Sequence, residues 1–132
     1  MSELSVEANV ENLDTVLEFV NERIEHCPMK IQSQIGIVVD EVIANVSAYA
    51  YNPRVGDVTV RIKVDDCVTI EFEDGGVPYN PLNADDPDIT LDADEREVGG
   101  LGIFMVKNIM DSVEYKRDGN KNILTIKKQL NN

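Results

Sequence analysis

Three small sets of residues in this sequence have the types and spacing to do chemistry. The first is E-V-I-A-N at residues 41–45. A separation of four puts Glu41 and Asn45 on one side of a helix, one turn apart. Together they offer a carboxylate and a neutral amide oxygen. The amide oxygen is a hard ligand suited to Mg²⁺, and a carboxylate one turn away can orient or deprotonate a nucleophile beside such an ion. Taken alone, the spacing arises often by chance and reads more simply as a polar helix edge.

The second set is E-F-E-D-G-G-V-P at residues 71–78. Val68, Ile70, Phe72 and Asp74 share a parity, so a strand that runs unbroken through them turns Asp74 toward the core with the three apolar side chains. An uncompensated buried charge costs several kcal/mol. No lysine or arginine is near Asp74 in sequence, so a fixed donor must come from elsewhere, and the exocyclic amino group of a ligand would serve. Gly76, which has no Cβ, would let a flat ring approach the backbone. The plainer reading is a strand that ends in an ordinary Asp-Gly turn.

The third set is V-G-G-L-G-I-F-M-V-K-N-I-M-D at residues 98–111, where Gly99, Gly100 and Gly102 precede an apolar run. Glycine inside a helix costs about 1 kcal/mol relative to alanine. At a helix start the first amides are unpaired and the dipole is positive, so glycines there let several N–H groups converge on an anion. A phosphate cradle accounts for them. No Gly-Lys-Ser/Thr follows, and Met105 stands where G-x-G-x-x-G needs its last glycine, so neither common phosphate loop is present. Without the other two sets, a glycine-rich loop before a core helix would suffice.

These residues need elements to position them. Leu4, Val6 and Ala8 alternate with polar residues, as in a short edge strand. From Asn9, an N-cap, Val10, Leu13, Val16, Leu17, Val20 and Ile24 recur at helical spacing until Pro28. Ile31, Ile35, Val38, Val39, Val42, Val46 and Tyr49 form the stripe of a second helix, which Asn52-Pro53 stops. The period then changes to two at Val58, Val60, Ile62 and Val64, turns at Asp65-Asp66 and resumes at Val68, which predicts an antiparallel hairpin. Residues 75–97 have no period and read as a long loop, of a kind that is usually functional or disordered. A helix over roughly 99–113 follows, then a last hairpin, near 113–117 and 123–128, turned at Asp118-Gly119-Asn120. This order predicts an α+β fold, a two-layer sandwich with helices on one face of a mostly antiparallel sheet.

The 132 residues suit one domain spanning 1–132, with no repeat or linker. A charge of −13, from 25 acidic against 12 basic residues with no basic patch, argues against nucleic acid and anionic membrane surfaces. No apolar run is long enough to cross a bilayer and the first residues do not resemble an export signal, so a cytoplasmic location is expected. Cys27 and Cys67 lie far apart and are expected to be small buried residues, not a disulfide or zinc pair. His26, the single histidine, is expected at a helix end on the surface and leaves no Ser-His-Asp arrangement.

In chain order, the Glu41/Asn45 pair, the D-x-G-x-P of Asp74, Gly76 and Pro78, and the G-x-G of Gly100 and Gly102 resemble the asparagine box and two glycine boxes of one superfamily. It comprises the gyrase, heat-shock chaperone, histidine-kinase and mismatch-repair ATPases, and the resemblance runs from end to end. The phrases F-E-D-G-G-V-P-Y-N-P and G-G-L-G-I-F-M-V-K-N-I-M-D are most similar to the bacterial anti-sigma-factor serine/threonine kinases. That resemblance implies the Bergerat-type, histidine-kinase-like ATPase fold and an ATP and Mg²⁺ site. In it Asn45 would hold the metal, Glu41 would be the general base, Asp74 would bind the adenine amino group and Gly76 would make room for the ring. Gly99, Gly100 and Gly102 would contact the phosphates, and residues 82–98 would form a mobile lid.

The implied function is ATP-dependent phosphorylation of an anti-sigma-factor antagonist of STAS type by a protein that also binds a sigma factor, in control of transcription, with a homodimer implied as well. The alternative is a nucleotide-binding switch that changes its grip on a partner with negligible turnover. A detached histidine-kinase domain is disfavoured, because no histidine-bearing acceptor helix is present. Two features depart from the family: Tyr49 stands where many members carry a histidine, and the lid is strongly acidic, with Arg96 its single cation.

Overall fold

The structure, a computed structural model, describes residues 1–47, 56–78, 80–83 and 98–130. Five strands form one sheet in the order β1 (Ser2–Glu7), β2 (Asp57–Val64), β3 (Cys67–Asp74), β5 (Lys121–Gln129), β4 (Ser112–Asp118). Every pairing is antiparallel, so the sheet is antiparallel throughout. Alternate residues of β2 and β3 are buried, Val58, Val60 and Ile62 against Val68, Ile70 and Phe72. They meet the helices α1 (Leu13–Ile24), α2 (Met29–Asn45) and α3 (Val98–Ile109), which contribute Val16, Val20, Ile24, Ile35, Val38, Val39, Val42 and Val106 to the same core. Each such side chain, fully buried, contributes about 1.5–3 kcal/mol. The fold is therefore the α+β two-layer sandwich that the periodicities predict.

Local chemistry fixes the joints. Asn9 caps the first helical turn, with its Oδ1 accepting the Asn12 N–H at 3.0 Å; that turn, Val10–Asn12, is 3₁₀ and α1 follows. Pro28 separates α1 from α2, and Gln32 Nε2 donates back to the Cys27 carbonyl at 2.8 Å. The α2 helix is described to Asn45, and Tyr49 lies outside the described residues.

The third helix ends sooner than its spacing predicts, at Ile109 instead of near 113. Met110 still donates to the Val106 carbonyl at 3.0 Å, but Asp111 N–H goes to the Lys127 carbonyl at 3.0 Å and Ser112 starts β4. The apolar run misled because Val113 continues the hydrophobic pattern across the boundary. Lys128 Nζ donates to the last helical carbonyl, Ile109 O, at 2.8 Å and so caps the helix from the sheet. Gly119 turns the β4–β5 hairpin with φ +61°, a left-handed conformation that glycine adopts without a Cβ clash.

Cys27 is buried, whereas Cys67, at the start of β3, is only half-buried; both thiols are free. His26 is exposed in the turn after α1. Among the described residues, no helix is long and apolar enough to cross a membrane.

Candidate functional site

The β3 strand keeps its alternation to its last residue, so Asp74 follows Phe72 to the helix side and is only 6% exposed. Oδ1 of this carboxylate accepts the Gly76 N–H at 2.9 Å, closing an Asp-Gly turn, and the amide Nδ2 of Asn122 at 2.9 Å. Sequence reasoning missed Asn122. It lies on β5 directly opposite Asp74 in the register and 4% exposed. The signal was available: Asn122 shares the parity of Leu124 and Ile126, and an amide among core positions needs a reason.

That amide is the centre of a network. Nδ2 also donates to the Val77 carbonyl at 2.8 Å, while Oδ1 accepts the Tyr115 hydroxyl at 2.6 Å and a guanidinium nitrogen of Arg117 at 3.1 Å. Arg117 further donates to the Gly76 carbonyl at 3.0 Å. The loop after β3 is thus held from the β4–β5 hairpin at Gly76 and Val77.

At the end of α2, Asn45 is 7% exposed and its Oδ1 has no hydrogen-bond partner among the described residues. Buried amide oxygens are nearly always satisfied. A hard neutral oxygen of this kind would suit Mg²⁺, whose remaining ligands can be waters and phosphates. Among the described residues no group of three or more His, Cys, Asp and Glu side chains could hold a metal.

Asn45 and Asp74 both line one partly open cavity. Val42 and Val46 from α2, Phe72 from β3, Ile103 from α3, Leu124 from β5 and Pro81 line it with apolar surface, and Tyr115 and Asn122 complete the wall. An apolar slot with a few convergent polar groups is the usual form of a small-molecule site.

Glu41 is half-buried one turn before Asn45. Its carboxylate lies against Gly102: a Cβ built on that glycine would collide with Glu41 Oε2 and stand 3.2 Å from Cδ. Gly99 and Gly100 fall in the first turn of α3, where backbone N–H groups lack helical partners. Gly102 sits further in, and its missing side chain makes room for Glu41. The structure brings together Glu41, Asn45, Asp74, Gly76 and Gly102, with Ile103 joining the glycine turn to the cavity. Arg96 and the span 84–97 of the expected lid lie outside the described residues.

The chain is similar to known protein kinases in sequence and in fold. The chain is 24% identical over 100 residues to the serine/threonine-protein kinase BtrW of Bordetella bronchiseptica, covering 74% of this chain and 70% of that one. It is 25% identical over 96 residues to the serine-protein kinase RsbW of Bacillus mycoides, covering 69% of this chain and 60% of the relative. The fold is similar to that of the Acinetobacter baumannii histidine kinase AdeS, with a TM-score of 0.53 at 17% identity over all of this chain and 70% of the other. The sequence profile of the histidine kinase-like ATPase domain matches residues 6–128, nearly the whole chain, and the protein belongs to that family.

Proposed function

We propose that this single domain is an ATP-dependent protein serine/threonine kinase of the anti-sigma-factor type, acting in the cytoplasm on a STAS-type antagonist and binding a sigma factor in control of transcription. The observation that carries this reading is the shared cavity of a buried carboxylate, Asp74, and an orphaned amide oxygen, Asn45 Oδ1. The kinase names of the two distant relatives support the reaction type.

In this reading Asp74 accepts the adenine amino group, and the apolar walls sandwich the ring and exclude water. The first-turn amides of α3, at Gly99 and Gly100, face the phosphates, where the positive end of the helix favours anions. Asn45 would hold Mg²⁺, which supplies charge neutralisation on the phosphates when bound. Glu41 takes the proton from the substrate hydroxyl as that oxygen bonds to the γ-phosphorus and ADP leaves with the electrons of the broken bond. Phosphoryl transfer is mainly positioning plus electrostatics, so these few groups suffice. A homodimer would be the active assembly.

Incubation with labelled ATP and the antagonist encoded beside this protein tests the proposal. Transfer of label to a serine or threonine is expected, with loss of transfer and retention of ATP binding in Glu41→Ala. Tight ATP binding with no transfer by the wild type would reject the kinase in favour of a nucleotide-dependent binding switch.

A further inference from the structure

The four residues that follow β3 bring no side chain to the core. Gly76 is half-buried, whereas Gly75, Val77 and Pro78 are exposed, Val77 by 60%. A segment that buries no apolar side chain sits at the low end of local stability. Hydrogen bonds hold it instead. The Gly76 N–H reaches Asp74 Oδ1 at 2.9 Å and the Val77 carbonyl accepts the Asn122 amide at 2.8 Å. A charged group supplies another tether: Arg117 Nη1 donates to the Gly76 carbonyl at 3.0 Å, across 41 residues of chain.

Arg117 is itself braced. Its Nε donates to the Gly119 carbonyl in the β4–β5 turn at 3.2 Å, and its Nη1 is shared with Asn122 Oδ1 at 3.1 Å. A guanidinium presents its donors in a rigid planar fork, so the separation of the two carbonyls it bridges is set by the group's own shape. The turn at Gly119 and the loop at Gly76 are therefore joined by a strut. Bonds of this charge-assisted kind to an exposed loop do nothing for the packing of the core. What they fix is the backbone leaving Asp74, a wall residue of the cavity.

We propose that Arg117 is a positioning residue for ligand binding in this cavity: through the Gly76 carbonyl it holds the loop after β3 in its binding conformation before a ligand arrives, so that binding does not have to order the loop. The inference rests on the nucleotide reading of the cavity and takes ATP as the ligand. Ordering the backbone of one residue is equivalent to about tenfold in affinity.

Calorimetric titration with ATP and NMR-detected amide exchange on the wild type, Arg117→Lys and Arg117→Ala test it. Both variants are expected to bind ATP about tenfold more weakly. In the free variants the Gly76 amide should exchange about tenfold faster, while Ile70 and Phe72 in the middle of β3 keep their wild-type rates, and saturating ATP should slow Gly76 again. Lysine should fail to rescue, because one ammonium nitrogen cannot span the carbonyls of Gly119 and Gly76. An arginine that merely supports the fold would speed exchange in β3 together with the loop, and that result overturns the proposal. So do wild-type ATP affinity in the variants, an unchanged Gly76 rate, or full rescue by lysine. If Arg117→Ala does not fold, Arg117→Lys decides by the same measures. A wild type that does not bind ATP is a different failure, that of the nucleotide site, and the positioning role falls with it.

Discussion

The carboxylate of Glu41 occupies the space that a side chain at position 102 would need. Gly102 thereby links the two helices of the site, and a methyl group there cannot be added without moving Glu41. Alanine otherwise gains about 1 kcal/mol over glycine in a helix interior. Gly102→Ala is expected to be neutral or destabilising in the wild type but stabilising by about 1 kcal/mol in a Glu41→Ala background. Urea unfolding of the four proteins measures the coupling, and strict additivity would show that the two residues do not meet. In the same Gly102→Ala variant, phosphoryl transfer should fall about tenfold or more while ATP affinity changes less, because Glu41, the proposed base, would be displaced.

Asn45 should give the opposite pattern, with the fold tolerating its loss. Its buried Oδ1 has no partner among the described residues, and an unpaired buried acceptor costs about 1–3 kcal/mol. Asn45→Ala is expected to leave the thermal midpoint unchanged or higher. The Mg²⁺-dependent part of ATP affinity should disappear, which titration with and without the metal would read. A lower midpoint with intact Mg²⁺ dependence would assign the residue to structure.

Asp74 should matter to both folding and binding. Asp74→Ala takes the acceptor from one N–H of Asn122 Nδ2 and from the Gly76 N–H and should destabilise by about 1–3 kcal/mol. Asp74→Asn keeps the shape but removes the charged acceptor, worth about 2 kcal/mol or a thirtyfold loss of ATP affinity. Normal affinity in that variant would remove Asp74 from the base contact.

The two thiols should differ in reactivity. Burial pushes the Cys27 thiol above its ordinary value, and the thiolate is the reactive form. An aromatic disulfide reagent is expected to modify the half-buried Cys67 first and Cys27 only on unfolding. Because the folded value is raised, the stability linked to Cys27 is fully present below the unfolded thiol's value and is lost as pH rises through the folded one. Cys27→Ala should therefore flatten the alkaline decline in stability, which denaturant midpoints against pH would show.

Much of the site could be read from the sequence because it depends on local periods. The parity of Val68, Ile70, Phe72 and Asp74 holds within one strand, and the spacing of Glu41 and Asn45 within one helix, so each face follows from neighbours in the chain. Asn122 could not be placed in the same way. It meets Asp74 across 48 residues, and only because β5 enters between β3 and β4 instead of joining the end of the sheet. The role of Gly102 was hidden for a similar reason. As sequence it is one more glycine at a helix start; in space it is a gap filled by a side chain from another helix. The end of α3 was misplaced where Val113 prolongs an apolar run into β4.

The insertion of β5 between β3 and β4 also bears on how the protein is made. Among the described elements, every helix and the other four strands precede β5, so until it forms β3 has an unpaired edge and the pocket lacks the wall that carries Asn122 and Leu124. A ligand of this pocket therefore gains its full site only once β5 is in place.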